Sequence, residues 1–309
     1  MSRREITPQD PEWPPFLSEA TSLGPPQSLF LEGSTLEVGP KAIAVVGTRR
    51  PTAAGVEAAE RLTQALVEAG FVIVSGMALG IDTIAHRTAL RCGGKTVAVL
   101  GTGLDVVYPR RNEGLRDAIA VSGTIVTEFP LGTQPLAYHF PKRNRIVAGM
   151  SQGVLVVEGG LKSGALITAR QAIDANRSVW AVPGSSRNPM ADGPNELIRT
   201  GQAALVTDVN HMFEEIAPSM LWREKDELGL TAPDLNSDEA AILQSLDDVP
   251  LPLDRLVKVT QLPLGTAALA ISRLEIRGLA TRRGPGYEIS QSGGRVRNLL
   301  MAQTAREDP

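Results

Sequence analysis

From residue 42 onward the chain alternates short, continuously apolar runs with longer amphipathic stretches. The apolar runs are AIAVV (42–46), FVIV (71–74), TVAVL (96–100), TIVT (124–127), GVLVV (153–157), SVWAV (178–182) and AALVT (203–207). Each is strand length, and none alternates apolar with polar, so each predicts a strand buried on both faces. The intervening stretches carry a helical period. In AAGVEAAERLTQALVEAG, for example, Val56, Ala59, Leu62, Leu66 and Ala69 fall on one face. Strands and helices in alternation predict a parallel sheet covered on both sides. With right-handed crossovers this is an α/β, Rossmann-like, doubly wound domain over residues 40–215.

The flanking segments have a different character. Residues 1–39 are proline-rich and read as an N-terminal arm, with Phe16, Leu17, Leu29, Phe30 and Leu31 available to pack it onto the body. Residues 216–236 read as a linker: from Asp226 to Asp248 there are seven acids and no Lys or Arg. Ser237 then offers an N-cap. Residues 237–292 give three helices and a hairpin around RRGPGYEIS, the pattern of a small winged-helix domain, and 293–309 form a polar tail.

Composition narrows the class. A chain of 309 residues that is 42% hydrophobic and 21% charged can bury a substantial core. No apolar run approaches bilayer length, the N-terminus lacks the apolar region of a secretory signal, and one cysteine, Cys92, forms no internal disulfide. These features predict a cytoplasmic protein. A formal net charge of -3 argues against a surface that is basic throughout, but screening lets a local basic groove coexist with it.

In an open parallel sheet ligands bind where the carboxyl ends of the strands gather their loops. Here those loops read GTRRPT, SGMALGID, GTGLDVVYPRR, EFPLG, EGGLKSG and PGSSRN. Glycines let backbone N–H groups approach a ligand closely, and helix N-termini after the loops favour anions. The nucleotide fingerprints fail, since GTGLDV has Val where the third glycine of a dinucleotide loop belongs and no Walker A loop is present. With three histidines and no HExxH, CxxC or GxSxG, neither catalysis nor a metal is indicated, and no cofactor is expected. Asp82 and His86, four apart on a helix, read as a structural hydrogen bond, and Cys92 as a helix end before two glycines.

The cations say more. Arg49 and Arg50 follow the first apolar run of the sheet, Arg110 and Arg111 the third, and Lys162 the fifth, while Lys142, Arg143 and Arg145 precede the helix RNRIVAGMS. Basic residues from four segments meeting at one edge form a groove suited to successive phosphates, with Phe140, Tyr108 and Tyr138 near it for base stacking.

The motifs GTRRPT, SGMALGIDTIAH, GTGLDVVYP, TEFPLG, HFPKRNRIVAGMS, VVEGGLKSGALITARQA, VWAVPG and GPNELIRTGQAALV closely resemble, in order, those of the DprA/Smf family of DNA-processing proteins. The resemblance implies a non-enzymatic homodimer that binds single-stranded DNA and helps load the RecA recombinase during natural transformation and recombination. Carried over by motif, it implies that Arg49, with Gly47 and Thr48 beside it, and the FPKRNR segment (Phe140, Lys142, Arg143, Asn144, Arg145) contact DNA. Lys162, Ser163 and Gly164 then approach the backbone, and Ser75 and Gly76 floor the pocket. Which of the three FPKRNR cations faces DNA and which is buried against an acid such as Glu158 stays open at this level.

Other readings remain beside it. Nucleoside-monophosphate phosphoribohydrolases resembling cytokinin-activating enzymes share the Rossmann-like class, but EGGLKSGALIT lacks their Thr-x-x-Glu. A protein scaffold acting through the winged helix is the second alternative. The third helix of that domain begins GTAALA, small and apolar, which favours protein contact over duplex reading, while Arg282 and Arg283 keep DNA contact open. Leu197, Ile198, Met212 and Phe213 are candidates for a dimer surface.

Overall fold

A computed structural model describes residues 3–36, 38–39, 41–217, 235–247, 249–290, 293–294 and 296–297. The chain divides into two compact units, residues 1–224 and 225–309. In the first, strands β1 (Arg3–Ile6), β2 (Leu29–Gly33), β3 (Ala42–Val46), β4 (Val72–Ser75), β5 (Thr96–Val99), β6 (Thr124–Thr127), β7 (Gly153–Val156), β8 (Ser178–Ala181) and β9 (Ala204–Leu205) make one sheet. The helices are α1 (Pro15–Glu19), α2 (Ala53–Glu68), α3 (Ile81–Arg91), α4 (Glu113–Ser122), α5 (His139–Gly149), α6 (Gly164–Asp174), α7 (Asp192–Arg199) and α8 (Asn210–Ile216). All seven apolar runs contain strands.

The strand order is β1-β2-β6-β5-β4-β3-β7-β8-β9, with β3 to β9 parallel. From β3 the chain winds outward through β4, β5 and β6, then crosses back along α5 to β7 on the other side of β3. The order therefore reverses between β3 and β7, and a crevice opens there at the carboxyl ends. β3 is buried along its whole length. Its side chains alternate between the two layers: Ala42, Ala44 and Val46 enter the core that includes residues of α5 and α6, and Ile43 and Val45 the core that includes residues of α2, α3 and α8.

Two expectations change here. Residues 1–39 are no separate arm, because β1 and β2 extend the sheet antiparallel beyond β6. Leu17, Leu29 and Leu31 are fully buried as anticipated. Both strands lie at the sheet's margin, where alternation with charge (RREI, LFLEG) replaces the continuous apolar run. Leu197, Met212 and Phe213 are core residues and Ile198 packs beside them, so these four do not form a free surface. A dimer surface would have to use other residues.

In the second unit α9 (Ser237–Ser245), α10 (Leu253–Thr260) and α11 (Leu264–Ile276) pack with a sheet of β10 (Leu251–Pro252), β11 (Ala280–Arg283) and β12 (Gly286–Ile289), in the order β10-β12-β11. This is a winged helix. Its first cap is Asn236 rather than Ser237: the Asn236 side chain accepts from Glu239 N–H, and the Glu239 carboxylate accepts from Asn236 N–H. Most of the expected linker and tail lies outside the described residues. No described helix is long and apolar enough to cross a membrane.

Candidate nucleic-acid interface

At the switch point the loops after β3, β4, β5, β6 and β7 surround an open cavity of about 920 Å³. Of the residues expected at the site, Gly47, Thr48, Arg49, Gly76, Phe140, Arg143, Asn144, Ser163 and Gly164 line it. Sequence reasoning left out Asp82, Met190 and, from the β6–α5 loop, Pro135 and Ala137, which also line it. The TRRPT doublet already signals Arg50, another lining residue.

The FPKRNR cluster behaves differently from its linear appearance. α5 begins at His139, so the three cations lie inside the helix and not ahead of it. At about 100° per residue, Lys142 and Arg145 fall on neighbouring faces while Arg143 turns away from both. Glu128, at the end of β6, takes both outer cations: Lys142 Nζ at 3.0 Å and Arg145 Nη2 at 2.6 Å. Arg145 also donates to Gly24 O, tying the N-terminal segment to α5. Lys142 keeps a half-exposed side chain, with its ammonium 5.2 Å from the centre of the Phe129 ring.

Arg143 points inward and is only 4% exposed. It donates to Gly76 O and Val99 O at the ends of β4 and β5, and its Nε donates to Asn144 Oδ1 at 3.1 Å. Burial lowers its pKa to about 10, with Asp82 opposing that shift, so it stays charged at neutral pH. Asp82 sits in the same floor and accepts from Gly76 N–H at 3.1 Å and Ala78 N–H at 3.2 Å. Its pKa is raised by burial against the pull of Arg143. A Cβ on Gly76 would stand 2.6 Å from Arg143 Nη2 and 2.8 Å from Asp82 Oδ2, so only glycine leaves room for the pair. Ser75 is fully buried and donates to Val45 O at 2.6 Å. Arg143, Ser75 and Gly76 therefore build the floor.

Glu158 is not the acid that meets a cation. It braces Thr52, the N-cap of α2, accepting from Thr52 N–H at 2.9 Å and from the Thr52 hydroxyl at 2.6 Å, and it also accepts from Asn188 Nδ2 at 3.1 Å. The cap fixes the loop that presents Thr48, Arg49 and Arg50. Both arginines are exposed, and neither makes a salt bridge among the described residues. Across the cavity, Ser163 is the N-cap of α6, and Asn144 Nδ2 donates to Gly164 O at 3.3 Å, joining α5 to the start of α6. Lys162, Arg110 and Arg111 are exposed on adjoining loops without lining the cavity. Tyr108 and Phe140 meet at the lip, ring centres 5.4 Å apart and planes tilted by 38°, and Tyr138 stands mostly exposed outside.

Asp82 and His86 do not bond each other. The Thr96 hydroxyl donates its single proton to Ile73 O at 2.8 Å, so His86 Nδ1 must donate to Thr96 Oγ1, 2.7 Å away, which leaves the ring neutral with a bare Nε2. Burial, with Arg143 adding repulsion, lowers its pKa to about 3. The unfolded chain binds a proton at His86 below about 6.5 while the folded chain refuses it, so stability falls as pH drops. Each unit below about 6.5 should cost about 1.4 kcal/mol. A His86→Gln variant should show a flatter decline in Tm between neutral and mildly acidic pH. An unchanged slope would remove His86 as the cause.

Among the described residues, no three His, Cys, Asp or Glu side chains cluster so as to hold a metal ion. The arrangement offers backbone donors, free guanidinium groups and a pair of aromatic rings, which is chemistry for holding a polyanion.

Known proteins resemble this chain along most of its length. The family model described as DNA recombination-mediator protein A matches residues 4–217, and the DprA winged helix domain model matches residues 228–286. Protein Smf of Synechocystis is 36% identical, over 91% of this chain and 78% of its own length. The X-ray structure of DNA processing protein A from Streptococcus pneumoniae superposes with a TM-score of 0.65 at 43% identity, covering 70% of this chain and 75% of that one. A structure of the Helicobacter pylori DNA processing protein A, reported for its single-stranded DNA binding mode, has a TM-score of 0.63 at 30% identity, covering 71% and 98%.

Proposed function

Because the chain belongs to the DNA recombination-mediator protein A (DprA/Smf) family, we propose that it binds single-stranded DNA at the carboxyl edge of its sheet and promotes RecA loading in transformation and recombination. The observation that carries this reading is the pair Arg49 and Arg50, exposed and without salt bridges at the mouth of a cavity of about 920 Å³. Unpaired guanidinium groups gain most from a phosphate, because they give up no internal partner to take it. The H. pylori relative supports the choice of a single strand as ligand.

In this proposal Arg49 and Arg50 grip successive phosphates. Gly47 and Thr48 bring the backbone close, while Ser163 and Gly164 offer the start of α6 to a phosphate. Phe140 and Tyr108 each offer bases an aromatic face, Asn144 borders the path and Lys162 supplies charge at the rim. Lys142 adds a weaker contact because Glu128 already neutralises it, and Arg143, Arg145, Ser75 and Gly76 hold the frame. The site binds its ligand and does not turn it over, and self-association as a homodimer completes the proposal. Phosphate contacts position without reading sequence, so the groove should accept any strand.

Anisotropy of labelled oligo-dT and a matched duplex, titrated across salt concentrations, tests this. The parent should prefer the single strand, its log affinity falling with log salt by about 0.7 per phosphate neutralised. Arg49→Ala/Arg50→Ala should weaken binding at least about tenfold and make the slope shallower by about 1.4. Lys142→Ala should do much less. A double variant that binds like the parent, or a parent that shows no single-strand preference, sinks the assignment.

A further inference from the structure

In the floor of the cavity, a set of anion-binding donors is already filled, and by the protein itself. Gly76, Met77 and Ala78 turn sharply after β4, with Met77 at φ +61°, a left-handed conformation that residues with a Cβ seldom take. Turns of this kind gather backbone N–H groups into a concavity that suits an anion. The occupant is Asp82 Oδ2, which accepts from both Gly76 N–H and Ala78 N–H. Asp82 is the second residue of α3, where the helix dipole also favours negative charge.

Two cations converge on the same place. Arg143 and Arg49 both act on the Asp82 charge. Arg143 Nη2 and Asp82 Oδ2 lie 2.6 and 2.8 Å from the point a Cβ on Gly76 would occupy. Arg49, Gly76, Ala78, Asp82 and Arg143 all line the cavity, although Asp82 is only 6% exposed. Paired backbone donors, a helix start and guanidinium groups are the equipment of a phosphate site. The Asp82 carboxylate is set against all of them.

We propose that Asp82 is a specificity-determining residue, whose carboxylate holds the place of a phosphate and keeps orthophosphate and free mononucleotides from settling in the floor. The role rests on single-stranded DNA being the ligand of the cavity. A free phosphate or phosphate monoester concentrates about two negative charges on one group at neutral pH, and close-set donors hold it best. A strand spreads its charge over many phosphodiesters and is held by many contacts, so Arg49 and Arg50 at the mouth serve it without the inner donors. With Asp82 in place, a small phosphate entering the floor meets a like charge and finds both N–H groups taken. The cavity is thereby kept for a chain of phosphates.

The full chain carrying Asp82→Ala or Asp82→Asn, compared with the parent at constant ionic strength, tests this. Thermal melts with inorganic phosphate or thymidine monophosphate read direct binding, and oligo-dT anisotropy with the same additives reads competition. Asp82→Ala should gain a rise in Tm with each additive that the parent does not show. It should also release oligo-dT at phosphate concentrations at least about tenfold below those the parent withstands. Asp82→Asn keeps the size and an acceptor oxygen but not the charge, and should shift less in the same direction. Should Asp82→Ala fail to fold, Asp82→Asn carries the comparison. Variants that respond to phosphate no more than the parent does overturn the proposal. A parent that binds no oligo-dT would sink the single-strand reading instead, and the melts would still decide what Asp82 excludes.

Discussion

Replacing Arg143 with Met should destabilise the first unit by about 3–5 kcal/mol, the usual cost of removing one of two opposite charges buried in the same site. The Met side chain fills much of the space but satisfies nothing around it. Gly76 O and Val99 O lose their donor, and buried Asp82 loses the stronger of the two cations that act on it, with only Arg49 remaining. A unit of this size should lose roughly 10 °C of Tm. Asp82→Asn in the same chain should restore part of the loss, because that buried charge goes with it. The pH dependence has a definite sign. Asp82's folded pKa lies above its unfolded value of 3.8, and the loss of Arg143 raises it further, so the folded variant binds protons that the unfolded chain does not. The deficit should therefore be greatest at neutral pH and shrink as pH falls towards the ordinary carboxylate range. Urea titrations of parent, single and double variants across that range measure it. An Arg143→Met chain as stable as its parent would mean that the cation is not anchoring the floor. Single-strand affinity should also drop, through the displaced β4–α3 loop and not through a lost phosphate contact.

Gly80→Ala should be nearly as damaging, for a reason of backbone geometry. Gly80 precedes α3 with φ +82° and ψ -128°, a region closed to residues with a Cβ. The added Cβ would lie 2.2 Å from Thr48 O and 2.8 Å from Arg49 Cα. That contact is with main chain, so no rotamer can relieve it. Thr48 O also accepts from Ile81 N–H at 3.1 Å, and the loop and the helix start cannot separate without breaking this bond. The strain should cost about 1–3 kcal/mol. The forced shift of the Thr48–Arg49 loop should reduce single-strand affinity at least about tenfold, as even a 1 Å misplacement of positioned groups is costly. Thermal melts and oligo-dT titrations together check this. A variant that melts lower but binds normally would separate the loop from the DNA site.

The interior of the sheet was legible in the sequence because strands buried on both faces leave no position for a charge. AIAVV and GVLVV became β3 and β7, and the loops after them became two walls of the cavity. GTRRPT and KSGALIT bring Arg49, Ser163 and Gly164 to the lining of that cavity, since residues following adjacent parallel strands emerge at the same edge. The margins were less legible: RREI and LFLEG are half-charged, and only pairing with β6 makes them strands.

The cluster HFPKRNRIV marks the boundary between the two sources. Sequence alone determined that three cations stand near the carboxyl edge, within a chain whose motifs are those of its family. Tertiary structure decided what each cation does. The rotation of α5 aims Arg143 at the carbonyls of β4 and β5 and turns Lys142 and Arg145 towards Glu128. A cation's charge is written in the sequence. Its availability depends on which carboxylate or carbonyl lies within a few ångströms, and folding alone sets that distance.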